Sequence, residues 1–327
     1  MTSAANAFTS QFLEWAPVRR IDKWLNAMPH PAFAVEIAPT HVAAARWTRA
    51  RGSLESFAVE EIAPNSIGPS PLEPNIVNAD AVRGALRRVF NHVPHRSGSL
   101  ALLLPDQAVR VFILPFDTFP RRAEEALPLL RWRLKKSVPF DVEETTISWT
   151  RQAGRPGGLE IVAAVARQKI IREYEELIES LGAHPGVILS STLSALSLLP
   201  DRGATLLVRM AGRALTTVVV QSGRLCVFRS SEMSAGAGLL DPQAVLDEIF
   251  PALAFFQDTA GESVDRAFIS GFGTREEVFR RALSEELKCP VEPISRAEGV
   301  QALDAGEKDV VGRGLEALAG WMQRGGA

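Results

Sequence analysis

The sequence predicts an α/β protein made of two related halves, each a β-β-β-α-β unit, with a smaller β-α-β-β-α unit set into the first half. Three observations carry this expectation. Short apolar and β-branched runs bounded by Gly, Pro and Ser occur twice in threes. Each trio is followed by a loop, an amphipathic helix and one continuous apolar run. The stretch between the two copies has a different element order. A chain of 327 residues also has room for two domains of ~150 residues each.

Phe8, Phe12, Leu13 and Trp15, then Ile21, Trp24 and Leu25, recur at helical spacing around Pro17, so Met1–His30 reads as two short amphipathic turns outside the main body. Such turns pack on their own domain or meet a partner or a membrane surface. Strands follow over Ala32–Ala38, His41–Thr48 and Leu54–Ile62, separated by Pro39-Thr40 and Arg51-Gly52-Ser53. After a Pro/Asn/Gly loop, Ala79–His92 places Val82, Leu86, Val89 and Val93 on one stripe and reads as a helix, and Ser99–Leu104 is a buried strand ending at Pro105. The inserted unit comprises a strand Val109–Leu114, a helix Arg121–Lys136, strands Glu143–Arg151 and Leu159–Arg167 around a Gly154–Gly158 hairpin, and a helix Gln168–Leu181. The second copy has strands Ala204–Met210, Leu215–Gln221 and Arg224–Ser230, a helix Pro242–Gln257 and a strand Arg266–Ile269. The expected division is therefore 1–30, an N-terminal segment; 31–106 with 187–200 and 306–327, a first lobe; 107–186, the insert; and 201–305, a second lobe.

Composition narrows the chemistry. Hydrophobic residues at 46% and charged residues at 23% are those of a globular chain, and a formal charge of −2 gives no general attraction to nucleic acid. Two cysteines, Cys226 and Cys289, are too few for a disulfide framework or a four-thiolate metal site. No run approaches the ~20 apolar residues of a spanning helix, and the first thirty residues lack a signal-peptide pattern, so a cytoplasmic location is expected. The five histidines, His30, His41, His92, His95 and His184, include no pair at i, i+4, and no metal site is expected. Ser190-Ser191-Thr192-Leu193-Ser194 reads as a helix start with capping hydroxyls rather than a nucleophile. Arg131, Arg133, Lys135 and Lys136 form a basic helix end, suited to solvent or to an acidic or lipid-proximal partner.

The duplicated plan with its insert is similar to that of the actin-like (ribonuclease H-like) ATPase superfamily, in its FtsA and PilM branch. Four segments resemble the PilM family of type IV pilus assembly proteins in order. They are Trp132 to Glu144 with its Val138-Pro139-Phe140-Asp141 exit, Leu246 to Phe256, Ser270-Gly271-Phe272-Gly273, and Gly312 to Leu318. The resemblance runs from about Pro31 to the C-terminus and implies a nucleotide site between the lobes, cradled by two hairpins that each supply an Asp for the metal.

Both hairpins depart from that pattern. The first reads Glu36-Ile37-Ala38-Pro39-Thr40-His41, with Ala38 where the family has the Gly that lets backbone approach phosphate, and Pro39 has no N–H to donate. The second has Arg209-Met210-Ala211 in place of Asp-hydrophobic-Gly, with Gly212 one position late. A guanidinium cannot hold Mg²⁺-bound water, although it can hold a phosphate. Pro251-Ala252 falls where the family has Arg-Ser. Only Gly271 and Gly273 stay near the pattern. The expectation is a degenerate nucleotide cleft (Glu36, Thr40, Arg209, Gly212, Gly271, Gly273), with no cofactor and no hydrolysis; ATP with Mg²⁺ is disfavoured.

The resemblance also implies a partner, the cytoplasmic N-terminal tail of a single-span PilN-like inner-membrane protein. It would hold the chain at the cytoplasmic face of the membrane and bind a groove between the first lobe and the insert. From the sequence that groove is expected at Leu104, Pro105, Trp132, Pro139 and Phe140. GspL-type secretion proteins share the fold and this logic. The rival readings are an active ATPase of the same fold whose nucleotide state gates partner binding, and a sugar or acid kinase, which would need a catalytic Asp in the cleft.

Overall fold

The computed structural model describes residues 30–48, 53–94, 99–154 and 158–325. The amphipathic segment expected over Met1–His30 lies outside these residues but for His30, as do His95, Arg51-Gly52 and the centre of the Gly154–Gly158 hairpin.

The first sheet uses β1 (Phe33–Ile37), β2 (His41–Trp47), β3 (Leu54–Glu61), β4 (Ser99–Leu104) and β8 (His184–Ser190), in the order β3-β2-β1-β4-β8. The second uses β9 (Ala204–Ala211), β10 (Ala214–Gln221), β11 (Arg224–Glu232), β12 (Arg266–Ser270) and β13 (Val291–Pro293), in the order β11-β10-β9-β12-β13. The two orders are the same. In each, the first three strands form an antiparallel meander, and the fourth and fifth run parallel beside the first. The expected duplication is thus present. Each sheet also gains a fifth strand that the sequence conceals: β8 opens with His184-Pro185-Gly186 and β13 is short and ends on Pro293, so neither carries a long β-branched run.

Helix α1 (Ala79–His92) packs on the first sheet, held at its start by the Asn78 side chain accepting from the Ala81 amide. The third sheet, β5-β7-β6, is built from β5 (Arg110–Phe116), β6 (Thr145–Ala153) and β7 (Leu159–Arg167). Helix α2 (Ala123–Leu134) covers it through Ala126, Leu130 and Leu134, which join Phe119, Ile147, Ile161 and Val165 in one small core. Helix α3 (Gln168–Glu179) behaves differently from the expectation. Its apolar residues Ile170, Tyr174, Leu177 and Ile178 join Val82, Leu86, Leu100 and Leu102 in the core of the first sheet. Periodicity reported that this helix has an apolar face but not which sheet the face meets. We therefore place the end of the inserted unit at β7 rather than near residue 186.

The remaining helices are α4 (Ser191–Ala195), α5 (Pro242–Ala260), α6 (Glu276–Leu287), α7 (Glu298–Gln301), α8 (Ala305–Gly312) and α9 (Glu316–Gly325). Helix α5 stays continuous through Pro251 and packs Val245, Leu246, Ile249 and Phe256 on the second sheet. A single core runs between the two large sheets, from Ala34 and Leu103 through Leu193, Leu318 and Trp321 to Leu207 and Phe268. The lobes are joined by this shared core, which sets the geometry of the cleft above it.

Candidate functional site: an ion cluster between the lobes

Glu36 lies on β1, the central strand of the first sheet, and Arg209 on β9, its counterpart in the second. Arg209 Nη2 donates to Glu36 Oε1 at 3.2 Å across the lobe boundary. Two further carboxylates surround the same guanidinium, Asp106 Oδ2 at 3.8 Å from Nη1 and Glu316 Oε2 at 3.8 Å from Nε. Asp106 follows β4 and Glu316 opens α9, so the cluster ties together four separate elements. All four side chains are buried, with Glu36 at 0% exposure and Arg209 at 4%.

Hydroxyl groups hold the acids in place. Ser190 Oγ donates to Asp106 Oδ1 at 2.7 Å, the Thr192 amide donates to the same oxygen at 2.9 Å, and Thr216 Oγ1 donates to Oδ2 at 2.8 Å. Ser270 Oγ donates to Glu316 Oε1 at 2.6 Å. The hydroxyl run at Ser190 does cap α4, as its sequence suggests. It also anchors Asp106, an isolated acid that no sequence motif marks.

The electrostatics follow from one cation among three acids in a dry site. Burial works against the Arg209 charge, but Glu36, Glu316 and Asp106 together outweigh it and hold the guanidinium above the ordinary arginine range. Glu36 is pushed up by burial, which the nearby Arg209 only partly offsets. Arg209 therefore has three acids within 4 Å to balance its charge, while its Nε and Glu36 Oε2 have no hydrogen-bond partner.

The hairpin turns close over this cluster. A Cβ added to Gly212 would come within 3.2 Å of Pro39 Cβ, so the two turns meet through these residues. Gly271, at φ 82°, has no room for a side chain because a Cβ there would overlap the Met210 carbonyl oxygen. That glycine is required by the packing of one strand end against another. Gly273 begins the turn into α6. Thr40 is exposed, with Oγ1 3.1 Å from His41 Nδ1. Arg209 is surrounded by acids where the family pattern has a carboxylate, and a space of about 900 Å³ lined by Pro39, Thr40, His41, Gly212 and Arg213 opens at the two turns.

His41 lies beside this cluster. Burial, reinforced by the Arg209 charge, lowers its pKa from 6.5 to about 4, and its Nε2 has no hydrogen-bond partner. A histidine whose folded pKa is depressed contributes stability above pH 6.5 that is lost as the pH falls toward 4. The expected loss attributable to it is about 3 kcal/mol at most. Glu36, with a raised pKa, has the opposite sign and loses stability as the pH rises. Urea unfolding of His41→Asn and the parent from pH 7 to 4 isolates the histidine, and the variant should show the flatter profile.

The partner groove expected from the sequence is not assembled. Leu104 and Pro105 are buried within the first lobe, Phe140 packs against the core of the inserted unit, and Pro139 is exposed at the end of α2. Trp132 stands on the outer face of α2 at 72% exposure. The real opening between the first lobe and the inserted unit is a cleft of about 510 Å³. Its walls are Thr146 and Ser148 of β6, Ala164 and Ala166 of β7, Ile171 of α3, and Gly186 to Ser190 of β8. Both β8 and β6 are edge strands of their sheets. The expected groove residues do not line this cleft, whose border strand β8 carries no strand-like run in the sequence.

No protein-family model and no curated protein sequence matches the chain. Among solved structures, it is similar to a chain of the PilM-PilN type IV pilus biogenesis complex, with a TM-score of 0.71 and 17% identity, over 91% of this chain and 99% of that one. A Bacteroides thetaiotaomicron protein with an actin-like ATPase fold and unknown function gives a TM-score of 0.47 at 10% identity, over 83% of this chain and 93% of that one. The cytoplasmic domain of EpsL, an inner-membrane component of the type II secretion system of Vibrio cholerae, gives 0.43 at 14% identity, over 72% and 80%. The chain thus has a two-lobed actin-like fold with an additional inserted sheet. No described helix is long and apolar enough to cross a membrane.

Proposed function

We propose that this protein is a scaffold of type IV pilus or related secretion assembly, built on an actin-like fold whose nucleotide site has become an internal ion cluster. Its partner is the cytoplasmic N-terminal tail of a PilN-like single-span protein, which holds it at the cytoplasmic face of the inner membrane. The observation that carries this reading is the edge strand β8 bordering the cleft between the first lobe and the inserted unit. An extended peptide entering there can pair with the open backbone of β8 and set alternate side chains against Ala164 and Ile171. The likeness to the PilM-PilN chain supports the same reading.

Hydrolysis has no place in this account. Phosphoryl transfer depends on positioned Mg²⁺ and free cationic groups around the phosphates, and Arg209 is engaged by Glu36, Asp106 and Glu316. The tail peptide of the PilN-like protein, titrated into the purified chain, should bind saturably and equally well with and without Mg-ATP. Binding that requires nucleotide would favour the active ATPase instead.

A further inference from the structure

The end of helix α2 sets an aromatic ring and three cations together at the surface of the inserted unit. Trp132 is 72% exposed, and Arg133, Lys135 and Lys136 are exposed around it. Residues 126–140 hold four basic side chains, Arg131, Arg133, Lys135 and Lys136, and no acid. Arg131 pairs with Glu143 at 3.0 Å, but among the described residues no ion pair engages the other three. The acids that follow the helix already have partners. Glu143 meets Arg131, Glu144 lies 4.0 Å from Arg167, and Asp141 accepts from the Glu143 amide at 2.9 Å. Glu124 and Glu125 sit in the first turn of α2, at its opposite end. A chain of net charge −2 therefore carries a concentrated cationic face.

Two kinds of anionic partner suit cations beside an indole: an acidic peptide and an anionic bilayer. The surroundings favour the bilayer. The hollow beside Trp132, of about 620 Å³, is lined by Pro115, Phe116 and Leu129, but also by Asp117 and Glu160. An acidic chain laid in that hollow would run against these two carboxylates. A bilayer is broad and touches only what stands out, which here is the indole and the cations. An indole settles at headgroup level, with its ring toward the acyl chains and its N–H toward water. Neighbouring Lys and Arg side chains meet anionic headgroups while their methylene stems cover apolar surface.

We propose that the Trp132 end of α2 is a membrane-contact surface that rests on anionic phospholipid. The contact is separate from the cleft proposed for the tail peptide, since Trp132, Arg133, Lys135 and Lys136 are absent from the walls of that cleft. The protein thereby supplies a hold on the membrane of its own. Two linked contacts with one membrane hold more tightly than either alone.

The test floats the full chain with lipid vesicles at low salt, without any tail peptide. The parent should travel with vesicles of phosphatidylethanolamine containing about one-third phosphatidylglycerol, and stay behind with phosphatidylcholine alone. Binding should vanish at about 1 M salt, where the screening length falls to about 3 Å. Lys135→Glu/Lys136→Glu should need at least ~10-fold more anionic lipid for half-binding, while Lys135→Arg/Lys136→Arg binds as the parent does. Trp132→Ala should bind less well yet keep the salt dependence, since the cations remain. All these variants should match the parent in melting temperature and in affinity for the tail peptide, which separates a failure here from a failure of the cleft. A parent that ignores anionic vesicles would overturn the proposal. So would a Lys135→Glu/Lys136→Glu protein that binds them as the parent does, because the contact would then lie elsewhere in the chain. Capture of soluble poly-glutamate in place of vesicles would assign the face to an acidic protein and overturn it equally.

Discussion

Replacing Arg209 with alanine is expected to destabilise the protein by about 3–5 kcal/mol, because it strips the counter-charge from a buried acidic cluster. Glu36, Asp106 and Glu316 would then lie together in a dry site without a cation. The loss should be larger at pH 8 than at pH 5, since protonation relieves the uncompensated acids as the pH falls. Urea denaturation of Arg209→Ala, Glu36→Gln and the double variant forms a thermodynamic cycle. The double variant should be less damaged than the sum of the single changes, because removing Glu36 removes one of the stranded charges. Strict additivity would mean that the pair across the lobes does not couple. A cluster that only decorated the surface would give less than about 1 kcal/mol.

The second large effect is expected at the cleft between the first lobe and the inserted unit. Ala164 is half-buried on β7, opposite Ser148 of β6, and both line the opening. Arginine at 164 can extend into the open space and so leave the small core of the inserted unit intact. It would occupy the volume a partner's side chains need and set a charge against the apolar wall that includes Ile171 and Val187. Tail-peptide affinity should fall by at least ~10-fold, which is about 1.4 kcal/mol, while the melting temperature stays within a degree or two of the parent. Unchanged affinity in a folded Ala164→Arg protein would remove this cleft from the account. Trp132, Pro139 and Phe140 are not on its walls, so Trp132→Ala serves as the control that should leave peptide binding alone.

These two sites differ in how far the sequence announces them. The strands of each meander were legible because turn residues such as Ser222-Gly223 interrupt β-branched runs at short intervals, and the repeated order of elements gave the two lobes. Arg209 stood out as a cation at an acid's position. What it does there was not legible, because its three partners are scattered at positions 36, 106 and 316 and only the fold brings them together. Read alone, Arg209 is a guanidinium able to hold a phosphate in a degenerate cleft; in place, it is an internal counter-ion to three acids. Asp106 follows Pro105 in a short turn and belongs to no motif, so only its hydroxyl donors reveal it.

The residues expected to form the partner groove lie apart for a related reason. Local sequence marks Phe140 as leaving a helix but cannot say whether the ring turns toward a neighbour or back into its own core. It turned back. Helix α3 shows the same limit, since amphipathic spacing fixed its buried face but not the sheet that receives it. The strand that borders the cleft has Pro185 and Gly186 directly after its first residue, types that normally end strands rather than start them.

The proposed scaffold role has Arg209, Glu36, Asp106 and Glu316 forming an ion cluster between the lobes in place of a bound nucleotide. Isothermal titration of Mg-ATP into the full-length parent protein tests it most directly. The account predicts no saturable binding tighter than about 1 mM, with or without Mg²⁺, corresponding to less than ~4 kcal/mol of binding free energy. A magnesium-dependent dissociation constant in the micromolar range would contradict it.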